Sequence, residues 1–444
     1  MARKLVATQD NTSTSSQTEP LSRAVARPIF GESVLAIDYN FADKDYLDDD
    51  ITFSRASGAT QVGSDGYIKW ADHNMLVRSN EFEHSDWGTA RTTPNQAISP
   101  TGENNASEIT DSGGSVSDFV GNILSPICVS IYAKKKTADY LRLSVGDPTS
   151  HSVNFDLTTG AAVEVLGNAV AHTAVDEGNG WWRLSASFQE GSYMQFSART
   201  AVSGGSRTTG VYVYGAQLEH TFNVNNGPRP YIETTGARIF KERFDFTPIG
   251  NDNRGLLIEE ERTNLILRSE DISHAYWNKS NCTAQTSGET DPAGTTSAYL
   301  LREADDSGQA HGITPTDNIT FTGDTKYTIS CYAKAAGRNF LRMTLGGGAF
   351  DGNTRAWFNL ETGQVATTKA EVNSARITAM GNGWYKCEAT CTSKSSPSTT
   401  QANYYIANAD DTDSYDGDGI SGIVLWGCTV EKGAFSTSYI KTTG

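Results

Sequence analysis

No stretch of this chain stays apolar for the roughly 18 to 20 residues that a membrane-spanning helix needs. Its first residues, Met1-Ala2-Arg3-Lys4-Leu5-Val6, lack the apolar core of a secretory signal. The expectation is a protein made in the cytoplasm of its host that leaves by lysis or inside an assembly, with no membrane insertion. Positive charge is scarce too: 36 Lys and Arg face 52 Asp and Glu, a net charge of -16. Nonspecific grip on nucleic acid is thereby excluded, because such binders gather Lys and Arg on one surface. The 6 cysteines include no CxxC pair, and the 7 histidines fall at no metal-binding spacing. A Ser-His-Asp signature, HExxH, a P-loop and a glycosidase context are all missing, so no enzyme is expected. No long segment has helical periodicity.

What the chain does have is itself, twice. Asn74-Met75-Leu76-Val77-Arg78-Ser79 with Trp87 returns as Asn264-Leu265-Ile266-Leu267-Arg268-Ser269 with Trp277. Ser130-Ile131-Tyr132-Ala133-Lys134 returns as Ser330-Cys331-Tyr332-Ala333-Lys334, and Gly178-Asn179-Gly180-Trp181 as Gly381-Asn382-Gly383-Trp384. The exit Tyr231-Ile232-Glu233-Thr234-Thr235-Gly236 matches Tyr439-Ile440-Lys441-Thr442-Thr443-Gly444. A unit of about 160 to 180 residues is too long for a solenoid repeat and suits a whole domain. The second copy also tests the cysteines. Cys331, Cys387, Cys391 and Cys428 stand where the first copy has Ile131, Leu184, Phe188 and Ala216, so buried thiols are expected rather than disulfides or a zinc site.

The modules alternate with period two. Trp182, Leu184, Ala186 and Phe188 interleave with Arg183, Ser185, Ser187 and Gln189, and Tyr385, Cys387, Ala389 and Cys391 with Lys386, Glu388, Thr390 and Thr392. Such alternation predicts strands with one face buried and the other wet. The fold class that follows is all-β: two tandem antiparallel jelly-roll-type β-sandwiches after a short N-terminal extended arm. The divisions are an arm over 1–32, a β strap over 33–73, module 1 over 74–236, a structured linker over 237–263 and module 2 over 264–444. Within the strap, Val34-Leu35-Ala36-Ile37, Ile51-Thr52-Phe53 and Tyr67-Ile68-Lys69-Trp70 are expected as strands, packed on the first module. Phe244-Asp245-Phe246 and Gly255-Leu256-Leu257-Ile258-Glu259 are expected to pair in the linker.

These pieces resemble a concanavalin-like or carbohydrate-binding-like sandwich module common in bacteriophage virion proteins, tail fibres above all. The resemblance rests on the Asn-Leu-Leu-x-x-Ser opening, Gly-Asn-Gly-Trp, Tyr214-Gly215-Ala216-Gln217-Leu218-Glu219, Trp426-Gly427-Cys428-Thr429-Val430-Glu431 and the closing Thr437-Ser438-Tyr439-Ile440. Thr52-Phe53-Ser54-Arg55-Ala56-Ser57 and Gly255-Leu256-Leu257-Ile258-Glu259-Glu260-Glu261-Arg262-Thr263-Asn264-Leu265 resemble phage sequences of the same group. The resemblance implies a virion-surface appendage on tail or capsid and a homo-oligomer, with a trimer favoured; the polar arm itself is expected either as a disordered tail or as a peptide that anchors the chain to other virion proteins.

A sugar-binding sandwich needs exposed aromatic planes flanked by amides. Trp181 with Asn179, and Trp384 with Asn382, fall on the polar parity of their strands and are the ligand-binding candidates. Rings tucked under a turn are the commoner fate of such residues. Tyr132 and Tyr332, with Arg142 and Arg342, are placed on a solvent side that either forms a shallow glycan groove or is a plain solvated face. Trp87 and Trp277 are expected to close a core edge. The acidic loop Asp410 to Gly419 offers a weak Ca²⁺ candidate in Asp411, Asp413, Asp416 and Asp418, since Ca²⁺ takes six to eight oxygens. The first copy has no acids there, which favours a solvated turn, and no cofactor is otherwise expected. The functional expectation is a tail-fibre-like or receptor-binding virion protein that contacts host surface glycans. The alternatives are a capsid decoration or head-fibre protein without its own ligand and, more remotely, a polysaccharide depolymerase.

Overall fold

The computed structural model describes residues 41, 44, 46–47 and 51–443, except 89–90, 114, 120–123, 125, 147–150, 192 and 203–204. The arm over 1–32 and the run Val34 to Ile37 lie outside these residues. Two sandwiches follow one another, as the duplication predicts. In the first, one sheet runs in the order Ala162–Leu166, Ser152–Asp156, Tyr140–Val145, Tyr193–Arg199, Val116–Phe119. Its partner sheet runs Ala169–Gly178, Trp181–Phe188, Ile127–Lys135, Val211–His220, Ala106–Ile109, Thr92–Ala97. The second sandwich has Gly422–Lys432 and Lys326–Ala336 at the centre of one sheet, and Ala402–Ala407 and Phe340–Leu345 at the centre of the other. Pairing between these strands is antiparallel throughout.

Inward positions follow the period-two reading. Ile131, Ala133, Leu184, Ala186 and Phe188 sit in the first core, and Cys331, Ala333, Cys387, Ala389 and Cys391 in the second. Leu184 pairs with Ile131 across the strands, and Cys387 with Cys331 at the same place in the second copy. Cys331, Cys387, Cys391 and Cys428 are buried free thiols, as small apolar replacements should be. Trp87 and Trp277 are both buried, their indole N–H groups donating to the carbonyls of Arg78 (2.7 Å) and Arg268 (3.1 Å).

The repeated motifs latch each module shut. Asn74 Nδ2 donates to the carbonyls of Ala216 and Ile232, and Asn264 Nδ2 to those of Cys428 and Ile440. One opening residue thus ties the last strand to the closing segment. Ser79 meets the hydroxyl of Tyr231 at 2.6 Å, and Ser269 that of Tyr439 at 2.8 Å. Buried Glu219 accepts from the backbone N–H of Arg229, and Glu431 from that of Thr437, while burial raises both carboxyls above the usual carboxylate range. Buried polar groups in such number persist only when bonded, and here each motif supplies its own partner.

Two expectations need correction. Ile51-Thr52-Phe53 forms no strand, though Ile68–Trp70 does, paired with Thr60–Val62. This hairpin also packs at the junction of the modules rather than on the first alone. Ile68 and Trp70 lie in one apolar cluster with Phe222 of the first module and Tyr332, Trp384, Trp426 and Tyr439 of the second. The linker strands Phe244–Phe246 and Asn253–Leu256 do pair, although Leu257 to Glu259 continue past the ladder.

Candidate functional site

In the sheet that holds Trp181–Phe188, and in the one that holds Trp384–Thr392, the outer face is polar but not wet. Ser185 and Ser187 are 2% and 3% exposed, and Glu388 and Thr390 4% and 3%. The closing segments lie across them. Gln217 Nε2 donates to the carbonyls of Arg229 and Pro230, and Lys386 Nζ and Thr390 Oγ1 to those of Thr437 and Ala434. Alternation reports which side chains are polar, and a strap of chain decides which are dry.

Most of the sugar-stacking candidates are therefore taken up by packing. Trp181 and Trp384 are each 2% exposed, their indole N–H groups donating to Ile98 O at 3.0 Å and Thr290 O at 2.8 Å. Asn179 and Asn382 are exposed but shape the hairpins: with Gly180 and Gly383 they form two-residue turns with positive φ throughout. That is the geometry in which Asn-Gly joins antiparallel strands without splaying them. Tyr332 is buried against Trp426 and Tyr439, and burial pushes its phenol well above the usual range. Tyr132 is half-buried against Tyr214 and Tyr231, with the Arg183 guanidinium 5.4 Å from its ring centre.

Arg142 and Arg342 are not solvated either, at 6% exposure each. Arg142 donates to Asn154 (2.9 Å) and Glu164 (2.7 Å), and Arg342 lies 4.1 Å from the ring centre of Tyr405 and pairs with Asp413. The acidic loop thus folds over the outer face of the second module, and its carboxylates diverge. Asp411 pairs with Lys369, Asp413 with Arg342 and Arg355, Asp416 binds Ser307 and Gly308, and Asp418 binds Ser421 and Arg338. Backbone and hydroxyl donors of Ser421 hold Asp418 far below the usual carboxylate range. Among the described residues, no three acidic, His or Cys side chains converge as a metal site requires.

A cleft opens instead between the modules, with a volume of about 700 Å³. The first module contributes Phe222, Asn223 and Asn225, and the second Arg268, Tyr299 and Lys441. Asn223 caps the short turn Val224–Asn226 by accepting from Asn225 N at 3.0 Å, and its Nδ2 reaches Gly294 O across the junction. Tyr299 is half-buried, its hydroxyl beside Ser273 and Asp271. Lys441 lies 5.2 Å from the ring centre of Phe222 and pairs with Glu270 at 2.8 Å. Arg268 has φ 55°, left-handed backbone that residues with a Cβ seldom adopt. Its counterpart Arg78 pairs with Glu81 and Asp86, whereas Arg268 makes no ion pair among the described residues. Phe222 is itself packed against Trp70 and under Lys441, so Tyr299 is the ring this open cleft presents, beside amides, hydroxyls and a guanidinium. Sequence reasoning passed over this site because it belongs to neither module alone. One signal was legible: Lys441 stands where the otherwise matching exit of the first copy has Glu233.

No family model and no curated protein matches this chain. Among solved structures it is similar to the N-terminal CBM22-1-CBM22-2 tandem domain of Xyn10C from Paenibacillus barcinonensis. Identity is 13% over 82% of this chain and 98% of that one, with a TM-score of 0.27. It is also similar to oxalate decarboxylase from Bacillus subtilis, at 8% identity over 90% of this chain and 79% of that one, with a TM-score of 0.11. Neither superposition is close enough to bear on fold or function, and the two-sandwich architecture rests on the strand pairing described above.

Proposed function

We propose that this protein is a non-enzymatic component of a bacteriophage virion, a tail-fibre-like or receptor-binding appendage that contacts host surface glycans. The observation that carries the glycan contact is the cleft between the modules, where Tyr299, Asn225 and Arg268 present a stacking ring and hydrogen-bonding groups together. The phage setting rests on the repeated sequence motifs. An N-terminal anchor and a homo-oligomer, a trimer by the same resemblance, would array several clefts on one particle and turn weak contacts into avid ones.

The test is a glycan array probed with the full chain, followed by Tyr299→Ala and the exposed Asn225→Ala. Retention of host-type glycans is expected, weakened about tenfold by Tyr299→Ala, equivalent to ~1.4 kcal/mol. A blank array, together with host adsorption that the protein does not compete, removes the glycan contact. The second reading, a capsid decoration protein without its own ligand, is favoured by one observation: Trp181, Trp384 and Tyr332 are all used in packing. A virion map that places the chain on the head would support it.

A further inference from the structure

A second cavity, of about 390 Å³, lies where strap, first module, linker and C-terminal tail meet. Both phage-like motifs that enter no sandwich line it, through Arg55 of the first and Glu259 to Arg262 of the second. Trp70, His220, Arg243 and Lys441 complete the wall.

Two of these side chains carry donors that meet no acceptor among the described residues. They are the Nε, Nη1 and Nη2 of Arg55, all shielded from solvent, and the Nδ1 of His220. His220 is 8% exposed, and its Nε2 accepts from the backbone N–H of Leu124 at 3.2 Å. The imidazole proton therefore sits on Nδ1, a donor as well. Every other cation of the wall has its carboxylate: Arg243 pairs with Glu259 (2.8 Å), Arg262 with Glu260 (2.7 Å) and Lys441 with Glu270 (2.8 Å). Arg55 has none. The ionised neighbours that act on His220 are Lys441, Arg229 and Arg238, all cations. A chain of net charge -16 thus places two sets of unmet donors on one cavity wall, beside the carboxylates of Glu259, Glu260 and Glu261. Buried donors are almost always satisfied, and a guanidinium fork matches the two oxygens of a carboxylate or phosphate.

We propose that this cavity binds a compact oxyanion, a carboxylate or phosphate group, with Arg55 as the principal contact and the Nδ1–H of His220 as the second donor. The rings of Trp70 and His220, 4.7 Å apart, make an apolar wall for the group that carries the charge. Lys441 lines both cavities, whereas Arg55 and His220 line this one and not the cleft between the modules.

The full chain is titrated by calorimetry and by tryptophan fluorescence with glucuronate, with inorganic phosphate and with glucose as the neutral control. Saturable one-to-one binding of at least one anion is expected, and none of glucose. Arg55→Gln should weaken it about 10- to 100-fold, the range for hydrogen bonds to a charged group. Binding of glucuronate alone assigns a carboxylate site, and of phosphate alone a phosphate site. If Arg55→Gln does not fold, Arg55→Lys keeps the charge, removes the fork and should still weaken binding. No saturable binding of either anion to the unaltered chain overturns the proposal. So does unchanged affinity in a folded Arg55 variant, which would mean an adventitious surface contact.

Discussion

His73 and His220 face each other with ring centres 5.2 Å apart, and both are held neutral. The Nδ1 of His73 donates to Ala71 O at 2.7 Å, and its Nε2 accepts from the backbone N–H of His220 at 2.8 Å. A proton added to either ring would sit on a nitrogen that already faces a donor. Burial, then neighbouring cations, pushes His73 well below the usual histidine range and His220 down to about 3. In the unfolded chain both titrate near ~6.5. Between these values the unfolded state binds more protons, so stability is fully present above about 6.5 and falls as pH drops toward about 3. Each ring contributes up to about 1.4 kcal/mol per pH unit in that window. The urea midpoint should fall from neutral pH to about pH 5, and less steeply in His220→Asn; a flat midpoint in the unaltered chain would refute this. Neither histidine stood out in the sequence. Both occur where the copies differ, since Thr263 and Lys432 hold the matching places.

At the scale of elements, the repeat preserves devices that shape and close a sandwich. Gly215 and Gly427 sit at matched bulges in the last strand, with φ 57° and 62°. A Cβ at Gly427 would lie 3.0 Å from Tyr332 Cδ2 and 3.1 Å from Tyr439 Cε2. Gly427→Ala should therefore cost about 1–3 kcal/mol in chemical denaturation, with Gly215→Ala close behind. Gly352→Ala, where nothing lies within 4 Å, should stay within about 0.5 kcal/mol. Strand positions, inward faces and Asn-Gly turns were legible because they are set by neighbours two to four residues away. The exposure of the polar faces was not. Closing segments that reach back across the sheet bury Ser187 and Glu388, and no local pattern encodes a cover that arrives from elsewhere in the chain.

For the whole molecule, the junction is the decisive feature. Trp70 stacks on Phe222 at 5.6 Å between ring centres, and Phe222 meets Trp426 at 6.1 Å, so one aromatic file runs from strap through first module to second. Thr60 Oγ1 donates to Tyr439 O, and Ile68 N to Pro292 O. The two modules should unfold as one cooperative transition. Trp70→Ala, which removes about 3–5 kcal/mol of packing, should split it into two. Differential scanning calorimetry checks this, and two transitions already present in the unaltered chain would show that the junction does not couple the modules.

Duplication, period-two alternation and turn chemistry determined by themselves that this chain forms two β-sandwiches, because those rules act over a few residues and each copy repeats them. Only the tertiary structure decided where its clefts open. One cleft opens between the modules and the other where strap, linker, first module and tail meet, so that residues far apart in sequence, such as Arg55, His220 and Lys441, become neighbours. The aromatic residues that the sequence offered for binding are held instead inside the packing that brings those parts together.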